Sequence, residues 1–329
     1  MILFSDIIGR KRAKSSIIND ITYGKISHAY LIVGEVGVGK KIFAKAIANA
    51  ILCSNFTNGK PCMQCTHCSS VLANGTTELY QLNTEATSIK VDDIREVVKN
   101  IILKPTQSEK KVYIIYDGEK MTNQAQNSLL KTLEEPPNYG HIIITTNNIE
   151  GVLPTIQSRA TKIYLGMNSK EEILNLLISK YGENDINEIA CEYAQGSIGK
   201  AIDIIESKLF KEIRELANNY VNNLINKNTI ACIDCISKIN ATNIEEFLSI
   251  TIKLFKDIVV FLETQSDIFL INKDKKYIIN NGVNKYNIGT ILNVIFILED
   301  NSMKLQGNAS RKITLDGMTV KILEELING

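Results

Sequence analysis

The chain has 329 residues, 44% hydrophobic and 22% charged, which gives ample length for buried cores without disulfide staples and excludes a disordered or fibrous protein. Thirty-seven Lys and Arg against thirty-six Asp and Glu leave a formal charge of +1, which argues against broad electrostatic coating of nucleic acid. Met1-Ile2-Leu3-Phe4-Ser5-Asp6 lacks the basic and apolar regions of a secretory signal, and the uncharged run from Tyr286 to Leu298 falls short of the roughly 18–20 residues of a membrane span; a cytoplasmic location is expected.

In chain order, Ala29-Tyr30-Leu31-Ile32-Val33 reads as a buried strand ending at Gly34. A helix is predicted over 40–52, with Ile42, Phe43, Ala46, Ile47 and Ala50 spaced for one buried face. Strands are predicted over 112–116 and 142–146. Between them, Asn123 to Glu135 reads as a helix with Ala125, Leu129, Leu130 and Leu133 on one side, stopped by Pro136-Pro137. Apolar runs alternating with helical patterns predict a parallel α/β sheet. Past Leu165 the chain turns helical. Ser169 and Glu172 form a capping box ahead of Ile173, Leu174, Leu176 and Leu177, and Gly196-Ser197 interrupts the pattern. Thr242-x-x-Glu245 reads as a second capping box, before an apolar helix through Leu262, and Asn280-Asn281-Gly282 as a loop.

Gly34-Glu35-Val36-Gly37-Val38-Gly39-Lys40 follows a predicted strand and opens a helix, as a phosphate-binding loop requires. Gly34, Gly37 and Gly39 let backbone N–H groups turn inward, the helix N-terminus adds a positive end, and Lys40 reaches the terminal phosphates. The next position, where a Ser or Thr hydroxyl binds magnesium, is Lys41. The strand Val112-Tyr113-Ile114-Ile115-Tyr116 runs into Asp117, so Tyr116 stands where a hydrolysing site keeps its first metal-binding acid. Both changes speak against Mg²⁺ and describe a degenerate ATPase site.

Cys53-x8-Cys62-x2-Cys65-x2-Cys68 places four thiols within a short stretch, and Gly59 and Pro61 supply the turn that brings Cys53 back. Four thiolates suit a tetrahedral, closed and therefore structural Zn²⁺ site; an iron–sulfur cluster is the alternative. His67 reads as a bystander. Cys232-x2-Cys235 lies in a helical pattern with Ile230, Ile233 and Ile236 and reads, with Cys191, as buried core.

Asn127-Ser128-Leu129-Leu130-Lys131-Thr132-Leu133-Glu134-Glu135-Pro136-Pro137 resembles the signature of bacterial clamp-loader subunits of DNA polymerase III, a branch of the AAA+ ATPases. So do Ser27-His28-Ala29-Tyr30-Leu31 and Phe4-x-Asp6-Ile7-Ile8-Gly9. The likeness covers the first 200 residues well, and the rest by helical character and Ile313-Thr314-Leu315-Asp316. It implies an α/β AAA+ P-loop domain with a parallel sheet over 1–165, carrying a zinc-binding insertion at 53–68. A small helical lid domain over 166–205 and an all-α collar domain for oligomerisation over 206–329 would follow. In the family, Thr145-Thr146-Asn147 would be sensor 1, with Asn147 facing the γ phosphate, although locally Asn147 could simply start a turn. Ser158-Arg159-Ala160 matches a Ser-Arg-Cys motif whose arginine reaches across the subunit interface to a neighbour's ATP. Gly196 to Ala201 resembles the sensor 2 helix, in which ATPase subunits carry arginine at the place of Gly199.

The resemblance thus implies a clamp-loader subunit that is no ATPase by itself but is part of the DNA polymerase III holoenzyme. It would assemble with ATPase subunits (tau/gamma) and the delta subunit, present Arg159 in trans, and help load the sliding clamp at primer–template DNA. Lys41, Tyr116 and Gly199 argue against an active ATPase subunit and against ATP or ADP as a resident cofactor, while Lys40 leaves a nucleotide held without turnover open. The near-neutral charge argues against a stand-alone zinc-bearing DNA-binding module. Lys90, Lys99 and Lys104 read as solvated.

Overall fold

The computed structural model describes residues 1–73, 78–82, 87–106, 108–307 and 310–328. Two compact units emerge: Met1–Gly182 with Ala194–Ala201, and Glu183–Tyr193 with Ile202–Gly329.

In the first unit, β1 (Ala29–Gly34), β2 (Leu79–Leu82), β3 (Lys111–Ile115), β4 (Gly140–Thr146) and β5 (Thr161–Leu165) form one sheet in the order β2-β3-β4-β1-β5. Every pairing is parallel, with Ala29 opposite Ile142 and Tyr30 opposite Thr161. Its helices are α1 (Lys11–Thr22), α2 (Lys40–Leu52), α3 (Thr66–Leu72), α4 (Val91–Ile102), α5 (Asn123–Glu134), α6 (Pro154–Gln157) and α7 (Lys170–Tyr181). The central strands are buried almost throughout and carry near-continuous apolar runs rather than alternating, because both faces of the sheet are covered. Tyr30, Ile32, Ile114 and Ile143 pack with Phe43, Ile47 and Ile51 on one face. Leu31, Ile115, Ile142 and Ile144 pack with Ile94, Val97, Leu129 and Leu133 on the other. Each fully buried side chain of this size contributes about 1.5–3 kcal/mol.

The predicted strands and the helix over 40–52 form as expected. Ile42 does not join the buried face: it is 47% exposed, because Phe43, Ala46, Ile47 and Ala50 already define the inward stripe and residue 42 lies off it. The edge strands β2 and β5 escape the sequence pattern, being short and half exposed. Ser169 and Glu172 form their capping box, with Ser169 Oγ accepting from the Glu172 N–H at 3.1 Å and Glu172 Oε2 from the Ser169 N–H at 3.2 Å.

The second unit is helical: α8 (Asp185–Ala194), α9 (Ile198–Glu206), α10 (Lys208–Ile225), α11 (Thr229–Ser237), α12 (Ile244–Thr264), α13 (Lys276–Val283), α14 (Ile288–Gln306) and α15 (Arg311–Asn328). The end of α8 and the start of α9 belong to the first unit. α12 packs against both α10 and α14, with Tyr220 and Phe247 ring centroids 5.3 Å apart and Leu254, Phe255 and Ile258 fully buried.

Two expectations fail here. Thr242 does not cap α12, because Asn240 Oδ1 gathers the N–H and hydroxyl of Thr242 and the N–H of Asn243 in a local turn. Asn280-Asn281-Gly282 lies inside α13 rather than in a loop: a Cβ at Gly282 would sit 2.6 Å from Ile258 Cδ1, so glycine here serves close helix packing. Cys191, Cys232 and Cys235 are buried as expected, but Ile230 and Ile233 point outward. Among the described residues, no helix is long and apolar enough to cross a membrane.

Candidate functional site

β1, β3 and β4 deliver their carboxyl ends to one edge of the sheet, where parallel α/β folds bind ligands. β1 ends at Gly34, and the chain reaches α2 through Gly37 at φ +78° and Gly39 at φ +95°, a left-handed backbone that glycine adopts freely. Lys40, the first residue of α2, is 7% exposed. Its Nζ donates to Gly34 O at 2.8 Å, Glu35 O at 2.7 Å and Asn147 Oδ1 at 2.5 Å, one acceptor for each ammonium hydrogen. Burial lowers the Lys40 pKa, against the opposing pull of Glu119, Asp117 and Glu35. Asn147 bridges: its Nδ2 donates to Glu119 Oε1 at 2.9 Å and its backbone N–H to Glu119 Oε2 at 3.3 Å. Asn147 therefore faces the phosphate loop rather than only starting a turn. Glu119 was not legible beforehand; two residues past the strand, it reaches the site through a short 3₁₀ turn (Gly118–Lys120).

The end of β3 is occupied differently from a metal-binding strand. Tyr116 is buried, its hydroxyl donates to Gln81 Oε1 at 2.8 Å, and burial pushes its pKa up to about 12. Asp117, at φ +54°, anchors its N–H on Thr145 Oγ1 and turns its carboxylate to two ammonium groups. Lys120 Nζ lies 3.2 Å and Lys41 Nζ 3.9 Å from Asp117 Oδ2, and Lys41 also sits 5.2 Å above the Tyr116 ring. Magnesium needs near-octahedral oxygen ligands. A lysine in place of the hydroxyl, a tyrosine in place of the first acid and a second acid already paired twice do not fit that ion.

The segment 194–201 packs onto the loop. Ser197 Oγ donates to Val36 O at 3.2 Å, and the Gly199 N–H to Gly37 O at 2.9 Å. A Cβ at Gly199 would stand 3.0 Å from Gly37 Cα and 3.3 Å from Gly37 O, so a side chain there forces two backbones apart. Gly199→Ala is accordingly expected to cost about 1–2 kcal/mol by overpacking, read as a lower urea midpoint at unchanged slope. Arg10, which no local pattern flags, ties down the same corner through Met167 O at 3.1 Å and Asn168 Oδ1 at 2.6 Å.

Arg159 lies at the opposite edge of the sheet, just before β5 begins at Thr161, so it cannot serve its own phosphate loop. Its Nη2 pairs with Glu134 Oε1 at 2.7 Å and its Nη1 donates to Thr155 O at 3.0 Å, with the side chain 35% exposed.

The four cysteines converge. Cys53 ends α2, a tight turn with Asn58 and Gly59 at positive φ reverses the chain, Cys65 caps α3 and Cys68 lies in its first turn. The four Sγ atoms lie within 4.8 Å of one another, close to the about 3.8 Å edge that four 2.3 Å Zn–S bonds produce. The Cys62 N–H donates to Cys53 Sγ at 3.2 Å and the Cys65 N–H to Cys62 Sγ at 3.3 Å. Burial raises the Cys65 pKa, but the N–H groups of Cys68 and Ser54 and the neighbouring thiols outweigh it and bring it down to about 6. Burial pushes Cys53 and Cys68 up. His67 turns away to Asn49 Oδ1 at 3.3 Å, and burial lowers it to about 4, so it is neutral at physiological pH. The donor set fits a soft tetrahedral ion.

Residues 9–169 match the family described as DNA polymerase III, delta subunit. DNA polymerase III subunit gamma of Buchnera aphidicola subsp. Schizaphis graminum is 34% identical over 251 residues, covering 74% of this chain and 67% of that protein. Subunit gamma/tau of Mycoplasma pneumoniae is 32% identical over 209 residues, covering 62% of this chain and 30% of that protein. Against this longer relative, then, the chain spans less than a third of the length. Among solved structures, a DNA polymerase III gamma subunit-related protein of Thermotoga maritima matches with 17% identity and a TM-score of 0.43, covering 95% of this chain and 99% of that one.

Proposed function

The chain belongs to the gamma/tau-like clamp-loader family of DNA polymerase III, and from that premise we propose that it is a delta-prime-type subunit, which hydrolyses no ATP itself. The observation that carries this reading is the end of β3, where buried Tyr116 stands in place of the metal-binding acid and the second acid, Asp117, is held between Lys41 and Lys120. Gly199 points the same way. In this reading the subunit joins tau/gamma ATPase subunits and the delta subunit, presents Arg159 to a neighbour's ATP, and helps place the sliding clamp on primer–template DNA. The helices over 166–205 act as its lid and those over 206–329 as its collar. The four cysteines hold one structural Zn²⁺.

A second reading, an active ATPase subunit, is favoured by the relatives' names and by the intact Gly37-Val38-Gly39-Lys40 turn. Phosphate release from ATP and Mg²⁺ by the purified chain separates the two. No release above buffer is expected; sustained turnover by the chain alone overturns the delta-prime reading.

A further inference from the structure

We propose that the phosphate loop binds a nucleoside di- or triphosphate without a divalent cation, Lys41 supplying in place the positive charge that magnesium supplies in hydrolysing relatives. The inference rests on the non-hydrolysing reading and deepens it by naming the ligand's metal-free form. It starts from the misfit at the metal position. Lys41 follows Lys40 in the first turn of α2, where the metal-binding hydroxyl would stand, and its side chain is 52% exposed.

Its contact with Asp117 can be released. The 3.9 Å separation from Asp117 Oδ2 is at the outer edge of an ion pair, whereas Lys120 holds the same oxygen at 3.2 Å. When phosphate arrives, Lys41 can swing toward it and leave Asp117 paired with Lys120, so no carboxylate is stranded. Lys40 would exchange the carbonyls of Gly34 and Glu35 for phosphate oxygens, a trade from neutral to charged acceptors. The positive end of α2, which opens at Lys40, completes the cradle. Of the carboxylates acting on Lys40, Glu119 is engaged by the Asn147 amide and N–H and Asp117 by Lys120, which leaves Glu35 of the loop as the charge a phosphate must displace. Two lysines side by side on a phosphate make a divalent ion redundant and, by repulsion, unwelcome.

The test is calorimetric titration of the purified full chain with ADP, in EDTA and again in Mg²⁺, with ATP turnover measured on the same samples. Affinity is expected to agree within about twofold between the two conditions. Lys41→Ala is expected to weaken binding in EDTA by at least about tenfold, and Lys41→Arg to retain it, because the loss is one of charge. Lys41 is solvent-facing, so both variants should keep the wild-type melting curve. Binding that tightens about tenfold or more with Mg²⁺, absence of binding in both conditions, or undiminished binding by Lys41→Ala would each overturn the inference. Turnover in Mg²⁺ would instead sink the non-hydrolysing reading, so the two failures are told apart.

Discussion

On the delta-prime reading proposed above, replacing Arg159 with alanine is expected to slow hydrolysis at a neighbouring ATP site of the reconstituted complex by about a thousandfold or more, with the isolated chain as well folded as before. The size follows from what a guanidinium does when placed against a transferring phosphoryl group: it neutralises charge that develops only in the transition state. The absence of a folding cost follows from the surroundings. Arg159 is 35% exposed and its main partner, Glu134, is 49% exposed, so their pair is worth at most about 1 kcal/mol. Pre-steady-state phosphate release is the proper readout, because one hydrolysing site should disappear from the burst while others continue. Arg159→Lys should not restore it, since a point charge lacks the two-pronged fork. Glu134→Gln tests the resting position: freeing the arginine should leave the rate unchanged or raise it by up to about fivefold, the equivalent of the lost surface pair. A full burst from the Arg159→Ala complex would remove the arginine from the mechanism.

What could be read in advance was local in sequence. Gly34 to Lys40 announced a strand-to-helix turn because the glycines and the helix pattern sit within one short run, and the capping box at Ser169 and Glu172 needs only four residues. The cysteine spacing likewise encodes its own convergence. What stayed hidden depends on partners far along the chain. Glu119 becomes part of the site through Asn147, and Arg10 through Asn168, neither of which any periodicity links. Gly199 looked like a missing arginine; in the fold it is also a backbone contact with Gly37, visible only once 194–201 is laid on the loop. The failed readings have the same origin in reverse. Asn280-Asn281-Gly282 has turn composition, yet packing against Ile258 recruits its glycine into a helix. Thr242 has cap chemistry, yet its hydroxyl and N–H are drawn back to Asn240 Oδ1 instead.

Stripping the metal from the four-cysteine cluster, or replacing Cys65 with serine, is expected to cost the first unit about 4 kcal/mol or more, an effect reserved for loss of a metal or a core element. In a unit of this size that is about 10 °C in melting temperature. The purified protein should carry one zinc per chain, removable by chelation and restorable by adding zinc alone. The consequence is large because of where the ligands begin and end. Cys53 follows directly on α2, whose Phe43, Ile47 and Ile51 fill one face of the sheet, and Cys68 is fully buried in α3. Without an ion, several thiols crowd within 4.8 Å and the Cys65 thiol, drawn down to about 6, brings negative charge beside them. The segment 53–72 contributes few apolar side chains of its own, so apart from Phe56 and the His67–Asn49 hydrogen bond little else joins α2 to α3. Protease cutting confined to that segment after chelation, with the sheet protected, would locate the loss. An unchanged melting curve after chelation, or a metal content far below one per chain, would make the cluster a set of ordinary buried thiols.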